Sequence, residues 1–141
     1  MIKDQTILLI HGAGSLGKEW RNFKTAFEKL GNKVVVPTLR LHELGQAKDS
    51  ELGKVSILDY VADMEAIIRS LDQEPIIIGH SMGGLIALIL CSRGFGKLGV
   101  FITPAAPRGI NAITFSVLRI FFRNLFRWQF WSKPIPPNFS G

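Results

Sequence analysis

Ser81 stands between glycines in the run Gly79-His80-Ser81-Met82-Gly83-Gly84, a G-x-S-x-G pattern whose residue types suit nucleophilic acyl chemistry. For its hydroxyl to be presented, the serine must sit on a sharp, strained turn between a strand and a helix. A side chain two positions to either side would then collide with the neighbouring element, and Gly79 and Gly83 remove those collisions. The N–H of Met82 would point from the start of a helix at the place where the negative oxygen of a tetrahedral intermediate forms.

A second group, His11-Gly12-Ala13-Gly14, suits the other half of such an oxyanion hole, a flexible loop that brings one more N–H over the serine. Ala13 is the expected donor, Gly12 and Gly14 let the loop bend, and His11 is expected to brace it. The same stretch fits two rival patterns. Gly12 to Lys18 matches G-x-x-x-x-G-K, but Glu19 stands where a magnesium-holding Ser or Thr is needed. Gly12-Ala13-Gly14-Ser15-Leu16-Gly17 matches the dinucleotide G-x-G-x-x-G, yet Val36-Pro37-Thr38 supplies no acid for a ribose. Arg40 could meet a 2′-phosphate instead, which keeps an NADP-binding oxidoreductase domain as the alternative.

These motifs need strands before them and helices after them, and the chain alternates the two. Thr6 to Ile10 reads as a strand, followed by a helix from about Glu19 to Leu30 with Trp20, Phe23, Phe27 and Leu30 on one face. Gly31 is placed to end it in a left-handed cap. Lys33 to Pro37 reads as a second strand, and a polar connection runs from Thr38 to Val55. Ser56 to Asp59 forms a capping box with Val55 and Tyr60 placed for a hydrophobic staple; Ile57, Tyr60, Val61, Met64, Ile68 and Leu71 make the apolar face of the helix that follows. Pro75 to Gly79 is an apolar strand, Met82 to Ser92 a nearly all-apolar helix ended by Gly94, and Leu98 to Thr103 a fourth strand. The expected architecture is α/β, a doubly wound, mostly parallel sheet of about four core strands buried on both faces.

The chain has 141 residues, 47% of them hydrophobic, enough for one compact domain. The single Cys91 lies in an apolar run, so there is no disulfide framework, and no metal-ligand spacing occurs. The short apolar run after Met1 to Gln5 is too brief for a signal or a membrane span, so a cytoplasmic location is the default expectation. The net charge of +6 is uneven, because the last acid is Glu74 and seven Lys or Arg follow Ser81. No nucleic-acid-binding motif accompanies them.

The HG-x-G loop, the GHSMGG run and Thr103-Pro104-Ala105 together resemble the α/β-hydrolase superfamily over roughly residues 5 to 110. The resemblance implies Ser81 as nucleophile, Ala13 and Met82 as oxyanion donors, a small-molecule acyl substrate, and no cofactor or metal. It implies that residues 1–110 are the N-terminal part of a truncated hydrolase domain and that 111–141 begin a cap with a Pro-rich tail.

The family orders its triad serine, acid, histidine, and here no Asp, Glu or His follows His80. His80 is expected to point into the fold and pack. His42, near Glu43 and Asp49, is the one candidate for an improvised base. The chain alone is therefore expected to be nearly inert, as a truncated enzyme or as a catalytically dead module that binds a partner or lipid. Between Ala112 and Trp131, Arg119, Arg123 and Arg127 form one stripe among aromatic residues; a cap helix is favoured there over peripheral membrane contact. Self-association through the Leu98 to Thr103 edge is expected if strands are missing.

Overall fold

The computed structural model describes residues 3–43 and 49–110. The expected cap stretch from Ala112 to Trp131 and the Pro-rich tail lie outside the described residues, as do residues 44–48. A four-stranded, all-parallel sheet in the order β2-β1-β3-β4 forms the centre, from β1 (Thr6–Ile10), β2 (Lys33–Val35), β3 (Ile76–His80) and β4 (Leu98–Ile102). A 3-10 turn (Gly17–Trp20) leads into α1 (Arg21–Lys29), and α2 (Asp49–Leu52), α3 (Ile57–Arg69) and α4 (Met82–Ser92) complete the helices.

Alternation along the strands divides the core in two. Leu8, Ile10 and Ile77 point to the side of α3 and α4, where Val61, Met64, Ile86 and Leu90 bury against them. Ile7, Leu9, Ile76 and Ile78 point to the other side, under Trp20 and Phe27. The sheet is doubly wound because β1 to β2 runs one way across it and β2 to β3 to β4 the other. Right-handed crossovers must then put α1 on one face and α3 and α4 on the opposite one.

The capping box is present in both directions: the Ser56 hydroxyl accepts from the Asp59 N–H and the Asp59 carboxylate accepts from the Ser56 N–H at 2.8 Å. The Ser56 hydroxyl, which also donates to the Asp59 carboxylate at 2.7 Å, and then the Ser56 N–H hold that carboxyl below its usual range. Gly31 takes the left-handed cap expected of it, and Gly94, expected to end the helix from Met82, is left-handed as well.

Three expectations are corrected. Only β1 is buried along its whole length, and β3 from Ile76 to Gly79; β2 and β4 are edges, and β4 alternates exposed and half-buried residues because a helix covers it on one side alone. The apolar face expected on the first helix is half used: Trp20 is buried and Phe27 partly so, whereas Phe23 and Leu30 are exposed beyond the reach of the sheet. The long polar connection contains α2 within it.

Candidate active site

Ser81 sits between the last residue of β3 and the first of α4, with φ 55° and ψ −118°. A non-glycine residue there costs about 1–3 kcal/mol and persists only where its surroundings over-determine it. They do. The Ser81 N–H donates to the Ile102 carbonyl at 3.1 Å, and its own carbonyl accepts from Ala105 at 2.9 Å and Leu85 at 3.2 Å. The end of β4, the loop after it and the first turn of α4 thus hold one residue, and the Thr103-Pro104-Ala105 segment has a structural task.

The glycines around it meet the geometry expected of them. A Cβ on Gly79 would lie 2.1 Å from the Gly83 carbonyl oxygen, and one on Gly83 would lie 2.3 Å from the Ile10 oxygen and 2.5 Å from that of His11. Gly79 therefore lets the strand pass under the helix, and Gly83 lets the helix rest on the end of β1. Gly12 comes so close that a Cβ there would be 3.1 Å from the Ser81 Cβ. The two glycine-bearing loops meet at the serine.

His11 is buried and uses both ring nitrogens. Nε2 accepts from the Leu39 N–H at 2.9 Å, so the proton is on Nδ1, which donates to the Gly12 carbonyl at 2.9 Å. Burial, first, and the neighbouring His42 lower its pKa, while the bond to Gly12 opposes them. The Gly12 carbonyl also accepts from Ser15 at 3.3 Å, closing a turn with Gly14 at φ 69°. In a trans peptide the N–H opposes the C=O, so anchoring the Gly12 oxygen on His11 fixes the Ala13 N–H in the opposite direction. Ala13 itself is exposed. Met82, at the first position of α4, has one of the N–H groups left without an intrahelical partner.

His80 overturns its expectation. It is exposed and lines a cleft of about 290 Å³ with His11, Gly12, Ser15, Glu19, Trp20, Phe23 and Ile102. Alternation from Ile76 and Ile78 carries it to the α1 side, but at the strand's last residue α1 no longer covers the sheet. Glu19, Trp20, Phe23 and Ile102 were not singled out as site residues; the i,i+4 pair of Ser15 and Glu19, hydrogen-bonded through the hydroxyl, was the one available hint.

His42 does not line that cleft. Its ring packs edge-on against His11 at 5.4 Å and Tyr60 at 5.7 Å, and its Nδ1 lies 3.0 Å from the Arg40 carbonyl oxygen. Arg40, the residue offered for a 2′-phosphate, is held by both carboxylate oxygens of Asp63. Cys91 packs on the core, where burial pushes its thiol up. Among the described residues no cluster of three His, Cys, Asp or Glu is placed to hold a metal ion, and no helix is long and apolar enough to cross a membrane.

The chain is 31% identical over 119 residues to salicylic acid-binding protein 2 of Nicotiana tabacum, covering 82% of this chain and 45% of that protein. It is 36% identical over 85 residues to a probable protein phosphatase methylesterase 1 of Caenorhabditis elegans, covering 57% of this chain and 23% of the relative. A thioesterase domain from the curacin biosynthetic pathway superposes with a TM-score of 0.64 at 23% identity, over 87% of this chain and 45% of that one, a likeness of fold. The chain thus spans less than half the length of each of these proteins. The model of the alpha/beta hydrolase family matches residues 7–141, and the chain belongs to that family.

Proposed function

We propose that the chain carries the nucleophile and oxyanion hole of a serine hydrolase acting on an acyl ester or a related acyl compound, and that by itself it turns substrate over only slowly. Ser81 Oγ attacks the acyl carbon, the carbonyl oxygen becomes negative, and the N–H groups of Met82 and Ala13 stabilise it. Collapse expels the alcohol and leaves an acyl group on Ser81, which water removes. No cofactor enters these steps. The observation that carries the reading is the strained Ser81 backbone, tied to Ile102, Ala105 and Leu85 at the start of α4 and abutted by Gly12.

Slow turnover follows from the proton. The hydroxyl must lose it as the bond forms, and after His80 the chain has no acid or histidine to take the family's positions. Loss of triad members costs about a million-fold in turnover in such enzymes, while an oxyanion hole retains roughly 10³ to 10⁴ over water. A base from solution should replace part of what is missing. Hydrolysis of p-nitrophenyl acetate by the purified chain is expected to be weak, to rise severalfold with added imidazole above the imidazole blank, and to lose that rise in Ser81→Ala. An equal rise in Ser81→Ala would remove Ser81 from the reaction.

A further inference from the structure

The Ala13 N–H is aimed by a chain of contacts that begins on α3, away from the cleft. The Gly12 carbonyl is anchored by the Nδ1–H of His11, and His11 keeps its proton there because Nε2 accepts from the Leu39 N–H. Leu39 belongs to the segment after β2, so the position of that segment selects the tautomer. Thr38 fixes the start of the segment, its hydroxyl accepting from the Gly17 N–H at 3.3 Å. Past the wholly buried Leu39 the backbone turns sharply, with the His42 N–H donating to the Leu39 carbonyl at 3.0 Å and Leu41 at φ 60°. A leucine in that region is strained and must be held from outside.

α3 supplies the hold. The Arg40 guanidinium donates from two nitrogens to the two carboxylate oxygens of Asp63, a fork-to-fork pairing that fixes direction as well as distance. Three residues before Asp63 on the same helix, Tyr60 meets the His42 ring edge-on, and that ring in turn packs edge-on against His11. The strained turn is thus gripped on both sides of Leu41. A part-exposed ion pair adds little to stability by itself, and its consequence here is where the turn puts Leu39.

We propose that Arg40 and Asp63 are positioning residues for the oxyanion hole: the pair fastens the turn to α3, the turn presents the Leu39 N–H to His11, and the tautomer so selected fixes the Gly12–Ala13 peptide. Without the pair the turn relaxes and the Leu39 N–H withdraws. Neutral His11 then also populates the form protonated on Nε2, whose bare Nδ1 faces the Gly12 carbonyl oxygen, acceptor against acceptor, and the peptide rotates away. The task given to the Ala13 N–H rests on the reading of Ser81 as nucleophile. The coupling from Asp63 to the loop does not.

NMR of the full ¹⁵N-labelled chain, joined to labelling kinetics, tests the proposal. With the ring neutral, His11 should show the pattern of the Nδ1–H tautomer alone. Asp63→Asn, and independently Arg40→Gln, should bring in the other tautomer and shift the Ala13 and Leu39 amide signals while β1 and β3 amides keep their protection. Modification of Ser81 by a fluorophosphonate in the presence of imidazole should slow severalfold in both, part of the roughly 10²–10³ that loss of an oxyanion donor costs. Exchanging the partners, Arg40→Asp with Asp63→Arg, keeps the summed side-chain length and should recover the tautomer, both amide signals and the rate. An unaltered tautomer in both single variants, a labelling rate unmoved by a changed tautomer, or changes that the exchange fails to reverse would each overturn the proposal. A parent chain not labelled at Ser81 would count against the nucleophile reading instead, and the tautomer and amide signals would still decide the coupling.

Discussion

Replacing Gly83 by Ala separates an ordinary helix position from one pressed against a strand. On an exposed helix, Gly→Ala stabilises by up to about 1 kcal/mol, since alanine loses less backbone entropy on folding. Gly83 is the second residue of α4, and its new Cβ would lie 2.3 Å and 2.5 Å from the carbonyl oxygens of Ile10 and His11. Ordinary contact begins near 3.4 Å, so a displacement of roughly 1 Å is required. Both obstacles are backbone; Ile10 pairs with Gly79 in the ladder, and His11 is fixed by Leu39 and Gly12. Neither can yield alone. Overpacking of this kind costs about 1–3 kcal/mol, more than the helical gain, so the net sign is destabilising. Urea unfolding of Gly83→Ala followed by circular dichroism should show a lower midpoint, with Gly79→Ala lowered as well, because its Cβ meets the Gly83 oxygen from below at 2.1 Å. A Gly83→Ala midpoint equal to or above that of the parent would refute the account of how strand, serine turn and helix fit together.

Three further outcomes are expected. His11 has a folded pKa below its ordinary 6.5, so the neutral form stabilises the fold above about 6.5 and that contribution is lost as pH falls toward the folded value; urea midpoints should drop on acidification from about pH 7 to pH 5, and His11→Gln should flatten that slope. Stability that rises over this window would contradict the buried neutral ring. Ser56→Ala removes the cap of α3 and should cost about 1 kcal/mol by the same unfolding assay, an unchanged midpoint being the contrary result. NADPH should leave the melting temperature unmoved, since Asp63 already holds Arg40; saturable stabilisation at about micromolar NADPH would restore the dinucleotide reading.

What could be read from sequence was local. β1 at Thr6–Ile10 and α4 at Met82–Ser92 have the bounds that apolar runs and flanking glycines predict, and the Ser56 box marks the start of α3 by a mechanism confined to four residues. The tight fit at Gly79 and Gly83 was likewise legible, because the G-x-S-x-G spacing makes sense only where a strand feeds directly into a helix. What was not legible depends on which elements arrive from elsewhere. Periodicity marks Phe23 and Leu30 as one apolar face with Trp20, but only Trp20 and Phe27 pack into the core, while Phe23 stays exposed with its ring edge-on to Trp20 at 5.3 Å. An apolar strand pattern does not distinguish β4, an edge, from β3, which has a neighbour on each side. His80 was assigned to packing because the tight turn beside the serine was expected to aim it into the fold, yet as the last residue of β3 it is exposed and lines the cleft with Trp20 and Phe23. His42 was selected by its loop position and by Glu43 and Asp49 near it in sequence, and its ring is engaged by His11 and Tyr60.

The claim that Ser81 is the nucleophile, set in an oxyanion hole and short of a base, is tested most directly by locating a covalent adduct. The purified chain is incubated with a fluorophosphonate, with and without imidazole, and the modified residue and its rate of formation are read by peptide mass spectrometry. The account predicts one adduct on the peptide containing Ser81, forming slowly alone, at least about tenfold faster with imidazole, and absent in Ser81→Ala. Modification at another residue, or at an undiminished rate in Ser81→Ala, would contradict it.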